Sequence, residues 1–399
     1  MEDQELIVDR LRPEPTSGAA GLGQGVEIAE ETGHSGKSVL VASQWTLMWW
    51  KFKRHKLAMI GLVLVIILYL IAIFGEFLAS SDPNKVNAAY TYAPPQRLSL
   101  VREENGERIW GLHVLGYTSE IDTETMARSF VADPEQVIPV SFWVKGYEYQ
   151  IFGFIPFDRH LFGPSEPGQP FFILGADRLG QDLYSRLIVG TRISMSIGLV
   201  SVFVSLILGV VIGGISGYFS GGTDTFIQRI IEFVQGIPTI PLWLGFAAAV
   251  PDTWSPLQTY FAITLILSII GWTGLARVVR GRFLSLREEE FVTAARLDGA
   301  AEMRIILRHM LPSFSSHIIA SVTLAIPGII LAETALSFLG LGLRSPINSW
   351  GVLLQEAQNI RSVSTAPWLL LPGIMVIIAV ISLNFMGDGL RDAADPYEA

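Results

Sequence analysis

Long apolar runs alternate with polar stretches along most of this chain. A helix needs roughly 20 apolar residues to cross a bilayer core. Runs of about that length are Leu57–Ala79, Ile193–Tyr218, Phe226–Val250, Tyr260–Val279, Ile318–Leu339 and Trp368–Phe385. Each predicts a transmembrane helix, and six spans put both termini on one side. The first, second and sixth are uninterrupted. Arg229, Glu232, Pro238 and Pro241 fall inside the third and leave its ends open.

The polar stretches have patterns of their own. Glu290 to Pro312 reads EFVTAARLDGAAEMRIILRHMLP. Ala294, Ala295, Ala300 and Ala301 favour helix, and Phe291, Val292 and Leu297 give the first block an apolar side. Gly299 lets the chain turn between two short helical blocks. Pro312 biases Leu311 away from helix, so the second block is expected to end there. Such an amphipathic helix suits a groove on a partner, or equally a surface of anionic lipid.

Residues 80–172 are too long for a simple turn. Ile138–Phe157 alternates in the β manner, which predicts a small extracytoplasmic β-rich domain or folded lid. Contact with an external partner and plain stabilisation remain equal alternatives for it. Residues 1–40 are rich in Gly, Glu and Ser without apolar period, and 1–45 are expected to form a disordered tail. Gly36-Lys37-Ser38 resembles the end of a phosphate-binding loop, but Glu31 stands where that motif needs glycine. No nucleotide site follows from it.

Composition agrees with a membrane protein. Half the residues are apolar, 16% are charged and the mean hydropathy is +0.44, against about a quarter charged in soluble domains. A net charge of -9 argues against nucleic acid as a partner. Without cysteine there is no disulfide or thiolate chemistry.

Charge placement gives an orientation. Lys51, Lys53, Arg54 and Lys56 precede the first span. Arg277, Arg280, Arg282, Arg287, Arg296, Arg304 and Arg308 lie between the fourth and fifth, and the 251–256 loop (PDTWSP) has no Lys or Arg. Both termini and the 290–312 loop are therefore expected in the cytoplasm. Trp45, Trp49 and Trp50 would form an interfacial belt. Leu78–Ser80 resembles a signal-peptidase site, yet the apolar run before it exceeds an h-region, and an uncleaved span is expected.

Few residues suggest site chemistry. Glu232 and Glu333 fall within predicted spans, where carboxylates are costly. A hydrogen-bonding role suits Glu333, and Glu232 could face water. Asp177, Asp182 and Arg186 could pair with one another and fix the start of the second span, in preference to binding substrate. The 6 histidines have no metal-ligand spacing. No nucleophile–base pair, and so no catalytic or metal site, is visible.

Four stretches carry a family resemblance. Thr293-Ala294-Ala295, Gly299 and Leu311-Pro312 are similar to the EAA loop of bacterial ABC importer permeases, with Thr293 in place of glutamate and His309 in place of an aliphatic residue. Leu174–Gly190 (LGADRLGQDLYSRLIVG), with Gly175, Asp177, Gly180, Asp182 and Arg186, resembles the box before the second span of the dipeptide/oligopeptide/nickel branch. Ala332–Gly342 (AETALSFLGLG) and Asn384–Pro396 (NFMGDGLRDAADP) resemble two further motifs of that branch's C-type subunit.

The resemblance runs from Gly175 to Pro396 with a matching first span, and leaves out the tail and the 80–172 insertion. It implies an all-α polytopic fold of the type I ABC importer permease, with spans in 46–79 and 173–399, in a bacterial inner membrane. Implied partners are a homologous second permease, two ATPase domains that hold the ATP and Mg, an extracytoplasmic solute-binding protein and membrane lipid. Glu290, Phe291, Thr293, Ala294, Ala295, Gly299, Arg304, Leu311 and Pro312 become the residues expected to couple ATPase closure to the membrane. An ion-coupled secondary transporter and a non-transporting scaffold are the rivals. The first predicts broken helices in symmetric positions.

Overall fold

The computed structural model describes residues 44–394 except 105–106, 122–127, 152 and 252. The expected tail with Gly36-Lys37-Ser38, and Asp395-Pro396 of the terminal motif, lie outside the described residues.

Helix α1 is Gln44–Arg54 and α2 is Lys56–Ile73. Phe74 leaves helical geometry, and α3 (Gly75–Leu78) restarts the chain after it. The first predicted span therefore stops six residues short of Ala79. Four antiparallel strands follow in the order β1 (Ser99–Glu104), β2 (Glu107–Ile121), β3 (Arg128–Ile151) and β4 (Ile155–Pro164). β3 pairs with β2 through residues 128–139 and with β4 through residues 140–151. Val114, Ile138, Val140 and Phe171 form a small core beneath the sheet. β-branched and aromatic residues facing one side of alternating strands give that outcome.

The helical part consists of α4 (Leu183–Phe219), α5 (Gly221–Gly236), α6 (Thr239–Ala248), α7 (Pro256–Leu286), α8 (Glu290–Leu297), α9 (Ser315–Phe338), α10 (Trp350–Gln355), α11 (Ile360–Thr365) and α12 (Leu371–Ala394). Among the described residues, five helices are long and apolar enough to cross a membrane, or six if the bent α5–α6 pair is one span.

That bend corrects the third predicted span. α5 and α6 meet at 81°. Ile237, held before Pro238, is extended, and Pro238 itself sits outside the helical region.

Close helix packing rests on small residues. A Cβ on Gly213 would strike the Ala276 carbonyl, and one on Gly217 would strike Phe283 and the Arg280 carbonyl. Along the same α4–α7 seam, Ser201 Oγ donates to Thr264 O at 3.1 Å and Ser205 Oγ to Ser268 O at 3.1 Å. Small residues with hydroxyls are what lets helices approach when lipid offers no hydrophobic drive. Gly61 of α2 likewise lies against the Ser382 carbonyl of α12.

Candidate functional site

The 290–312 loop folds into a two-sided element. Glu290 opens α8, where a carboxylate complements the helix dipole. α8 closes at Gly299, whose φ of 74° is the left-handed conformation that glycine adopts freely. The Gly299 N–H bonds to Arg296 O at 3.0 Å and the Ala300 N–H to Ala295 O at 3.1 Å. This is the Schellman pair of bonds, which satisfies the last carbonyls of the helix. An added Cβ at Gly299 would meet nothing within 4 Å, so backbone conformation alone requires the glycine.

The second block differs from expectation. Glu302–Arg304 starts it and Ile305–Met310 is a π-helical turn. Leu311 stays helical at φ -60°, ψ -44°, and the break comes at Phe314. The wider turn makes room for the Pro312 ring: the Leu311 N–H bonds five residues back to Ile306 O. Pro312 therefore does not end the block.

One side of the loop is fixed. Val292, Ala295, Ile305, Ile306 and Met310 are buried in a cluster with Val279 and Phe283 of α7 and with Phe314 and Ile318. Phe283 and Phe314 meet edge to face at 5.7 Å. Arg296 lies over the Tyr218 ring of α4, 5.2 Å from its centroid. The other side is open and apolar. Leu297 is 84% exposed, with Phe291, Met303 and Leu307 exposed beside it. Thr293, Ala294, Arg304 and Pro312 are exposed too, and Leu311 is half-buried.

Gly175, Asp177, Gly180, Asp182 and Arg186 come together at the start of α4, but not as one ion-pair network. Asp177 Oδ1 accepts from the Leu179 and Gln181 N–H groups at 2.8 and 2.9 Å, and Asp177 Oδ2 pairs with Arg186. Arg186 Nε donates to Asn348 Oδ1 at 2.8 Å. Asp182 takes no part in the pair. It caps α4, accepting from the Tyr184 and Ser185 N–H groups at 3.3 and 2.9 Å, because an aspartate at that position satisfies the orphan donors of the first turn.

Gly175 and Gly180 adopt φ of 83° and 68°. A Cβ on Gly175 would strike Trp368, and one on Gly180 the Asn87 carbonyl. Asn348, Trp368 and Glu356, which accepts from the Arg178 N–H at 2.9 Å, complete this box. No spacing along the chain points to these partners, 162 or more residues away from theirs.

The two carboxylates within predicted spans separate cleanly. Glu232 is half exposed and pairs with Arg229 at 2.7 Å. Glu333 is fully buried in α9. Its Oε1 accepts from the hydroxyls of Ser337 and Ser349, each at 2.8 Å. It thereby ties the 340–349 loop back to the helix.

A family described as binding-protein-dependent transport system inner membrane component matches residues 209–397, and one described as N-terminal TM domain of oligopeptide transport permease C matches residues 43–95. The chain is 40% identical over 236 residues, 59% of its length and 73% of the relative, to the oligopeptide transport system permease protein OppC of Haemophilus influenzae. It is 27% identical over 349 residues, 87% of its length and 93% of the relative, to the dipeptide transport system permease protein DppC of the same organism. A solved structure of the inward-facing MetNI methionine ABC transporter aligns with 52% of this chain at 20% identity and a TM-score of 0.42.

Proposed function

The chain belongs to the binding-protein-dependent inner-membrane components, as a permease subunit of an ABC importer, and we propose that its cargo is a peptide. Relatives named for oligopeptide and dipeptide transport support that cargo. In this proposal the bent pair counts as one of six spans and both termini lie in the cytoplasm. A homologous permease completes the path, an extracytoplasmic binding protein delivers the peptide, and two ATPase domains hold ATP and Mg.

The observation that carries the proposal is the two-sided 290–312 loop. Its open face of Phe291, Leu297, Met303 and Leu307 is a helix-in-groove surface. Its buried face is packed on α7, α9 and Tyr218 of α4. A groove that closes on α8 would move three helices together, and alternating access would follow from that movement. ATP chemistry stays with the partners; this chain contributes the path and the linkage.

The test uses Phe291→Asp and Leu297→Arg in the whole transporter. Both positions are exposed, so stability should change by no more than about 0.5 kcal/mol. Peptide uptake and ATPase co-purification should both be lost. Uptake at the wild-type level in both variants would overturn the docking assignment. The ion-coupled alternative asks for paired broken helices, and among the described residues one bent pair occurs.

A further inference from the structure

Residues 151–157 read IFGFIPF, an apolar sequence at the turn between β3 and β4. Polar residues usually occupy such tips. Phe154 is 72% exposed, and Ile155 is exposed beside it. The turn does not point away from the helices. Gly153 lines a cavity of about 440 Å³ with Tyr69 and Ile73 of α2 and Arg192 and Leu199 of α4.

The depth of that cavity can be placed. Arg192 pairs with Glu76 and donates to the Ala72 and Ile73 carbonyls at 2.8 and 3.0 Å. An ion pair at the end of a spanning helix belongs at headgroup level. Tyr69 lies about 6 Å further in along α2, and Leu199 about 10 Å further in along α4. The cavity that Gly153 lines thus runs from the level of the Arg192–Glu76 pair inward along apolar helix surface.

Its surroundings agree. Ile73, Leu199 and Phe203 are exposed apolar residues on the two helices it faces, and Phe74 is exposed just past the end of α2. Trp143 meets Phe77 at 5.6 Å and Phe157 at 6.2 Å, both edge-on, beside the end of α2. Aromatic rings concentrate at that level of a bilayer. Two donors of the turn are used internally, Gly153 N–H to Gln150 O and Phe154 N–H to Ile151 O, each at 3.3 Å, as lipid contact demands. Buried His160 faces the carbonyls of Glu76 at 2.9 Å and Tyr147 at 3.1 Å and holds the hairpin against α3.

We propose that the β3–β4 hairpin is a membrane anchor, with Phe154 and Ile155 in the acyl region and Trp143 among the headgroups. Lipid is the occupant because the tip continues the exposed apolar surface of α2 and α4. Only the crossing of the bilayer by α2 and α4 is required, not the identity of the cargo. The sheet is then pinned to the membrane beside the permease path.

The chain has no cysteine, so Phe154→Cys provides a single labelling site. The labelled transporter, with its partners, is placed in lipid nanodiscs, and an environment-sensitive dye at 154 is quenched by shallow doxyl-lipid or by aqueous iodide. Leu199→Cys supplies the lipid-facing reference. Lipid quenching at 154 should come within about twofold of that at 199 and exceed iodide quenching. Ile155→Cys repeats the measurement should the first variant fold poorly. Dominant iodide quenching at both sites would overturn the anchor. So would insensitivity to both quenchers together with cross-linking of 154 to the second permease.

Discussion

The side chains of Arg186 and Asp177 form an ion pair with only 8% and 2% of their surfaces exposed. Removing one partner strands the other charge away from water, which costs about 3–5 kcal/mol. Asp177→Ala should therefore lower the unfolding temperature in mild detergent sharply. Adding Arg186→Met should recover part of the loss. Strict additivity of the two single effects would show that the pair is not coupled.

Burial pushes the Asp182 carboxyl from its ordinary 3.8 up to about 6, against the opposing pull of the Ser185 and Tyr184 hydrogen bonds. The folded chain keeps a proton that the unfolded chain releases in this window. Asp182's contribution to stability is thus fully present below the unfolded value, falls as pH rises towards about 6, and is flat above it. Asp182→Asn keeps a capping oxygen and should remove this slope. The observable is the difference in unfolding temperature between the two proteins across the window. An unchanged difference would refute the assignment.

The α4–α7 seam has no room for side chains at Gly213 and Gly217. Gly213→Leu must separate the helices or displace Ala276, and overpacking of this kind costs about 1–3 kcal/mol or more. Ser205→Ala removes one interhelical hydrogen bond and should cost only about 0.6 kcal/mol. Detergent melting curves of both variants check the order. A larger effect for the serine would contradict the packing described.

Glu333 receives two hydroxyls, from Ser337 and Ser349. Glu333→Leu leaves both without their acceptor, at about 1–3 kcal/mol each. Glu333→Gln preserves an acceptor of the same shape and should lie near wild type. Limited proteolysis of the 340–349 loop distinguishes the two: cleavage should accelerate in the leucine variant alone.

The apolar runs located the helices, but their ends were legible only where local chemistry marks them. Ser255, Pro256 and Gln258 form a capping box with proline at the first turn, a signal that places the start of α7 four residues before the predicted Tyr260. Asp182 marks the true start of α4 in the same way, ten residues before Ile193, because a helix can continue past the membrane surface where hydropathy is silent. The Gly299 turn was readable from residue type, whereas the π turn that absorbs Pro312 was not. Hydrophobic pattern is insensitive to one extra residue in a turn. The partners Asn348, Glu356 and Trp368 were beyond reach because pairing across such separations leaves no periodic trace.

α4 runs unbroken for 37 residues and contains no proline, a length of about 55 Å against a bilayer core of about 30 Å. At one end Asp182 anchors it in the box with Arg186 and Asp177. At the other, Tyr218 lies under Arg296 of the 290–312 loop. No proline removes a hydrogen bond from this helix, and its backbone links the two ends directly. Were the loop to rotate Tyr218, a helix of this length would be the route by which the Asp182 end could feel it. A reporter placed on one face of the membrane would then register a state set on the other face, because the box and the loop both rest on the ends of one continuous helix.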